Sequence, residues 1–178
     1  MLKGSEMLGV PVISKKEGEK IAEVEKLIYN YKKFRVNAIL LNGKGLFKEP
    51  QIVRFKNIEA IGKDAIVLKD KKYIDKASAI PEIEESISAQ NSIIEKEIIT
   101  EDGESLGYIQ DVIIEPEKGK ILGFVLTEGL IQDILDGRSI FPYRKGIKFG
   151  NDALIITSKM KEDYIKNKKE YKKILELE

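Results

Sequence analysis

The chain repeats itself, and that limits its architecture more than any single motif does. Setting Ile13 over Ile98, a shift of 85, brings Gly18 onto Gly103, Glu19 onto Glu104, Ile21 onto Leu106 and Val24 onto Ile109. Leu27 then meets Val112, Ile28 meets Ile113, Val36 meets Ile121, Ala38 meets Gly123, Ile39 meets Phe124 and Leu41 meets Leu126. Only 6 of the 30 pairs over positions 13–42 are identical, so what recurs is the apolar pattern. Beyond Asn42 the shift becomes 88 and lays 62–68 over 150–156. The added residues fit the connection 42–51 of the first copy and 127–139 of the second, where lengthening costs little loop entropy. Two copies of one fold follow: 1–74 and 88–158, with 75–87 as a linker and 159–178 as a tail.

The repeat decides between helix and strand. Positions 17–34 read as helix in isolation, with Ile21, Val24, Leu27 and Ile28 at helical spacing among Glu, Lys and Ala. Their counterpart, 106–114, carries Gly107 and a β-branched run, Val112-Ile113-Ile114, which favour strand. Copies of one fold share their elements, so both are strands. Glu17-Gly18 and Asp102-Gly103 read as hairpin turns. Polar turns at 30–35 and 115–120 lead into apolar strands at 36–41 and 121–126. Gly62-Lys63-Asp64 and Gly150-Asn151-Asp152 read as tight turns between short final strands. Five or six short strands in each copy make a small barrel, whose closure removes exposed edges. The fold class is therefore all-β: two small β-barrels in tandem. In the tail, Met160, Tyr164, Tyr171 and Ile174/Leu175 recur at near-helical spacing, predicting a C-terminal amphipathic helix.

Composition excludes several chemistries. The 178 residues contain no His and no Cys. Disulfides, Cys-bearing zinc sites, His metal ligands and His-based acid–base catalysis are ruled out. A 42% hydrophobic content is enough to bury a core, and a net charge of +1 argues against a nucleic-acid coat. There is no apolar run of membrane-span length and no signal-peptide pattern at the N-terminus, so the expectation is a cytoplasmic protein.

The short turn-and-strand signals resemble a known family. In the second copy they are Asp102-Gly103-Glu104-Ser105-Leu106-Gly107-Tyr108-Ile109-Gln110-Asp111-Val112, then Gly137-Arg138-Ser139-Ile140-Phe141-Pro142-Tyr143, then Phe149-Gly150-Asn151-Asp152-Ala153. In the first they are Glu17-Gly18-Glu19-Lys20-Ile21-Ala22-Glu23-Val24 and Ile61-Gly62-Lys63-Asp64-Ala65-Ile66. Each copy resembles the PRC-barrel domain, shared by the photosynthetic reaction-centre H subunit, the C-terminal half of a ribosome-maturation protein, and stand-alone bacterial proteins that include a sporulation-associated group. The first copy departs from that pattern at Lys26, opposite Asp111, and at Arg54, opposite Pro142. The second departs at Gly146, opposite Ile58. The resemblance implies a binding or adaptor module, with no enzymatic activity, no cofactor and no metal.

Candidate contact residues divide into two groups. Leu130, Ile131, Ile134 and Leu135 lie in the connection that lengthens the second copy, and Leu46 and Phe47 in its shorter counterpart. Exposed, they form a protein-binding patch; buried, they cap a barrel end. Arg138, Arg144, Lys145 and Lys148 form a candidate basic patch for RNA or the ribosome, although residues 86–178 are net acidic. Asn42-Gly43-Lys44-Gly45 lacks phosphate-loop spacing and reads as a hairpin turn. The carboxylates at 82–104 lack a calcium-loop pattern and read as a solvated face. The sequence thus favours an adaptor for an unidentified protein partner, with self-association open. The alternative is an RNA- or ribosome-associated assembly factor.

Overall fold

The computed structural model describes residues 1–30, 32–43, 45, 49–88, 92–127 and 139–176. They divide into two compact units, the first comprising Leu2–Asn91 with Glu115–Lys120, the second Met1, Ser92–Ile114 and Ile121–Glu178. The strands of the first are β1 (Leu2–Lys3), β2 (Pro11–Ser14), β3 (Glu19–Asn30), β4 (Arg35–Asn42), β5 (Gln51–Arg54), β6 (Ile58–Ile61), β7 (Ile66–Leu68) and β8 (Ile74–Lys76), followed by helix α1 (Pro81–Ser88). Those of the second are β9 (Glu97–Thr100), β10 (Ser105–Ile114), β11 (Ile121–Thr127), β12 (Ser139–Pro142), β13 (Lys148–Phe149) and β14 (Ala153–Ile156), followed by helix α2 (Ser158–Glu176).

The two sheets are wound alike. The first runs β6-β7-β2-β3-β4-β5-β8 and the second β12-β11-β10-β9-β14-β13. In both, the first and last strands of the repeat pair in parallel (β2 with β7, β9 with β14), which curls the sheet into a half-barrel. The register agrees down to its irregularities. Val24 faces Leu41 and Lys26 faces Leu40, leaving Glu25 as the extra residue of a bulge. Ile109 faces Leu126 and Asp111 faces Val125, leaving Gln110 in the same place. A bulge bends its strand and increases its twist, so a shared bulge means a shared bend. The helix-like segment holds strand β3, Glu19–Asn30, as the repeat requires, because tertiary pairing overrides a helical propensity of a few tenths of a kcal/mol per residue.

In the first strand the correspondence is one residue away from the sequence overlay. Val12 and Ser14 are the buried residues of β2, and Ile98 and Thr100 those of β9. Val12 pairs with Ala22 and Ile98 with Gly107. The shift is therefore 86 in this strand and 85 in the next. The following hairpin loop is one residue shorter in the second copy. A one-residue slip turns every side chain of a strand to the other face, so burial decides the matter and the Ile13/Ile98 identity does not.

Segment 75–87, read in sequence as a linker, carries structure. Strand β8 pairs along β5, with Ile52 opposite Asp75. Helix α1 starts at Pro81, where the missing N–H is no loss, and the Ile80 carbonyl accepts from the Ile83 and Glu84 amides at 2.9 and 3.0 Å. Ile83 and Ala77 complete a buried cluster with Ile28, Ala38, Leu40 and Ile52. The equivalent cluster in the second unit is Ile113, Val125 and Ile140. The turn Glu115–Lys120 belongs to the first unit. The Gly119 carbonyl accepts from the Val36 amide at 2.8 Å, and Arg35 reaches the Lys118 carbonyl at 2.6 Å. Gly119 has φ +66, and a Cβ there would stand 2.8 Å from the Phe55 ring.

Candidate functional site

Helix α2 gives the second unit a feature without counterpart among the described residues of the first. Thr157 caps it, its hydroxyl accepting from the Met160 amide at 3.2 Å. Its first turns are held to the sheet. Ser158 donates to Asp102 at 2.6 Å, Lys161 pairs with Glu104, and the Tyr164 ring lies 5.0 Å from that of Phe141. Both aromatics are buried. Met160 packs over Gly146, which has φ +107. A backbone so turned disfavours the isoleucine found at the matching position 58 of the first copy. Further along, Arg144 pairs with Asp163, donates to the Tyr171 hydroxyl and lies over the Tyr171 ring at 5.5 Å. The Tyr171 hydroxyl donates to Asp163 at 2.7 Å, and that bond holds the phenol above its ordinary pKa.

Between β10 and α2 lies an open groove of about 410 Å³. One wall is residues 105–108, where Gly107 sits at a bulge with φ +117; the other presents Lys161, Tyr164, Ile165 and Lys168. Four large hydrophobic side chains stand exposed among the described residues: Met1, Leu8, Tyr108 and Ile165. The last two, at 51% and 60% exposure, line this one groove. Scattered exposed apolar residues are ordinary, whereas these two share one concavity. The sequence held a signal for both. Tyr108 occupies an outward strand position filled by Glu23 in the first copy. Ile165 follows Tyr164 in a helix, where neighbours point about 100° apart and both cannot face the same core.

The residues singled out from sequence fare differently. Leu130, Ile131, Ile134, Leu135, Leu46, Phe47 and Arg138 lie outside the described residues, as does Lys44. Lys145 and Lys148 are exposed. Arg144, placed with them in a basic patch, is engaged with Asp163 and Tyr171 of α2. In the first unit many lysines also have acidic partners: Lys15 with Glu59 at 2.7 Å, Lys16 with Asp70 at 2.9 Å, Lys76 with Glu49 at 2.7 Å, and Lys71 with Glu19. Each partner holds its carboxylate below the usual range, and for Asp70 the Lys72 amide contributes most. Among the described residues no group of three or more Asp or Glu is arranged to hold a metal, and no helix is long and apolar enough to cross a membrane.

No curated protein matches the chain. The family model for the PRC-barrel domain matches it twice, over residues 1–73 and 85–162. The two matches fall on the two similarly wound sheets, and the chain belongs to the PRC-barrel domain family as a tandem member.

Proposed function

We propose that this chain is a non-enzymatic, cytoplasmic adaptor that binds another protein through the second of its two PRC-barrel copies. The observation that carries the reading is the convergence of exposed Tyr108 and Ile165 on one groove. Aromatic and large aliphatic side chains in a concavity, rimmed by charge, are what protein interfaces use as anchors. The engagement of Arg144 by α2 weighs against the RNA reading, because a cation paired within its own chain releases fewer counterions on meeting phosphate. The connection holding Leu130, Ile131, Ile134 and Leu135 is a second place for the same partner, with Leu46 and Phe47 as its counterpart in the first copy.

The test is affinity purification from the native cytoplasm with and without nuclease, using wild type, Ile165→Glu and the double variant Ile131→Asp/Ile134→Asp. Recovery of one protein despite nuclease, lost with Ile165→Glu, supports the reading and its site. Loss with the double variant adds the 129–138 connection to the interface. Ribosomal proteins that vanish with nuclease and ignore all three substitutions contradict it.

A further inference from the structure

We infer a second binding surface, in the first unit and independent of the adaptor reading: a basic cluster at two turns that takes single-stranded nucleic acid. One turn joins β3 to β4; the other, Glu115–Lys120, is its counterpart in the second copy and belongs to the same unit. Arg35 forms a β-bridge with Lys120, and its guanidinium donates to the Lys118 carbonyl at 2.6 Å. Gly119 lies against the ring of Phe55, which is followed by Lys56. Lys32, Lys33, Arg35, Lys56, Lys118 and Lys120, scattered in sequence, thus gather at one place against two acids, Glu115 and Glu117. The five lysines are exposed, and among the described residues none of the six cations is paired with an acid. Lys15, Lys16, Lys71 and Lys76 of the same unit do have acidic partners. Unneutralised cations brought together favour a ligand with several phosphates.

Phe34 selects the kind of phosphate ligand. Both turns need a left-handed backbone at their last position, with φ +48 at Phe34 and φ +66 at its counterpart, Gly119. Glycine takes that conformation freely and phenylalanine takes it with strain. The first copy therefore holds a partly exposed aromatic between Lys33 and Arg35 at a cost the second copy avoids. Strain of this kind is concentrated where ligands bind. An aromatic face among cations suits an unpaired base stacked on the ring, with the flanking phosphates on the lysines. A bilayer is a poorer match, because anchoring there needs an apolar side chain buried among the lipids and the Phe34 ring is already largely covered.

The test is fluorescence anisotropy of the full-length chain with labelled oligouridylate and oligothymidylate of about 12 nucleotides. Both are expected to bind, since stacking and phosphate contacts do not read the 2′-hydroxyl. Affinity should fall about fiftyfold between about 50 and 200 mM salt, as about four phosphate contacts require. The pairs Lys32→Ala/Lys33→Ala and Lys118→Ala/Lys120→Ala should each weaken binding about tenfold. Phe34→Gly should weaken it about fivefold or more without lowering the melting temperature, because glycine suits that backbone. Phe34→Leu, which keeps the apolar volume and the strain, should weaken it as well, whereas Phe34→Tyr should bind as wild type. No binding, or binding that ignores both lysine pairs, overturns the site. Equal affinity for a duplex of the same length, or unchanged binding by Phe34→Leu, overturns the single-stranded assignment. Cosedimentation with phosphatidylserine–phosphatidylcholine vesicles in place of oligonucleotide binding gives the cluster to a membrane and overturns it too. Ile165→Glu should leave oligonucleotide binding unchanged, and the lysine pairs should leave nuclease-resistant protein capture unchanged, so this surface and the adaptor reading fail separately.

Discussion

The two copies share a register, both internal bulges of the central hairpin and the turn in which Gly62 or Gly150 donates to Ala65 or Ala153. They differ in what has been added to that frame. The first gains β8 along β5 and α1 over the cluster of Ile28, Leu40 and Ile52. Among the described residues the second has no counterpart of β8 in its sheet path; there Tyr164 and Met160 of α2 pack against Phe141 and Gly146. The departures from the family pattern follow this division. Arg54, opposite Pro142, pairs with Asp75 of the added strand at 3.3 Å. Pro142, lacking an N–H, sits at the end of an edge strand, where none is needed for a further neighbour. One frame thus serves two ends: the first copy's additions bring Ala77 and Ile83 into a buried cluster, while the second's leave a groove open to solvent.

That contrast can be broken from either side. The largest effect is expected from Phe141→Ala or Tyr164→Ala, which empties the contact between sheet and α2. A loss of about 3–5 kcal/mol, typical for a buried aromatic, should appear in chemical denaturation. Ile83→Ala removes the α1 side chain from the first unit's cluster, where it is 1% exposed, and should cost about 2–4 kcal/mol. Equal losses from these changes with one shared transition would mean that the units unfold together; separate transitions would assign each helix to its own unit. Gly119→Ala puts a Cβ against the Phe55 ring in a left-handed backbone, for an expected loss of about 1–3 kcal/mol. Arg144→Ala should cost under about 1 kcal/mol, since Arg144 and Asp163 are both 40% exposed.

The smallest effect is electrostatic and belongs to the first unit. Glu19, Glu49, Glu59 and Asp70 all have lowered pKa values there. Their contribution to stability is present above the ordinary carboxylate range, about pH 4, and is lost as pH falls through the depressed values. Melting curves between neutral and strongly acidic pH should show that loss, and added salt should shrink it because the pairs are exposed. A first unit equally stable at both ends of that range would contradict the prediction.

Much of the frame was legible because a repeat supplies its own control. Gly107 and the run after it point to strand at Glu19–Asn30, which local propensity alone reads as helix. The hairpin loop after β2 shows the limit of that control. With few identities to anchor it, the overlay held Ile13 on Ile98, and only burial of Val12 and Ser14 moves it by a residue. Helix α1 escaped because a short helix is marginal alone and owes its stability to the sheet it covers. Arg144 read as a solvent-facing cation because its partners, Asp163 and Tyr171, lie 19 and 27 residues away. The groove joins Tyr108 to a helix more than fifty residues later, which no local pattern connects.

Amide hydrogen exchange on the full-length chain, with and without the protein recovered from the cytoplasm, bears most directly on the unequal division of labour. The account predicts new protection at 105–108 and 161–168 in the second copy and unchanged exchange at 20–23, the matching strand of the first. Protection at 20–23, or none at either wall of the groove, would contradict it.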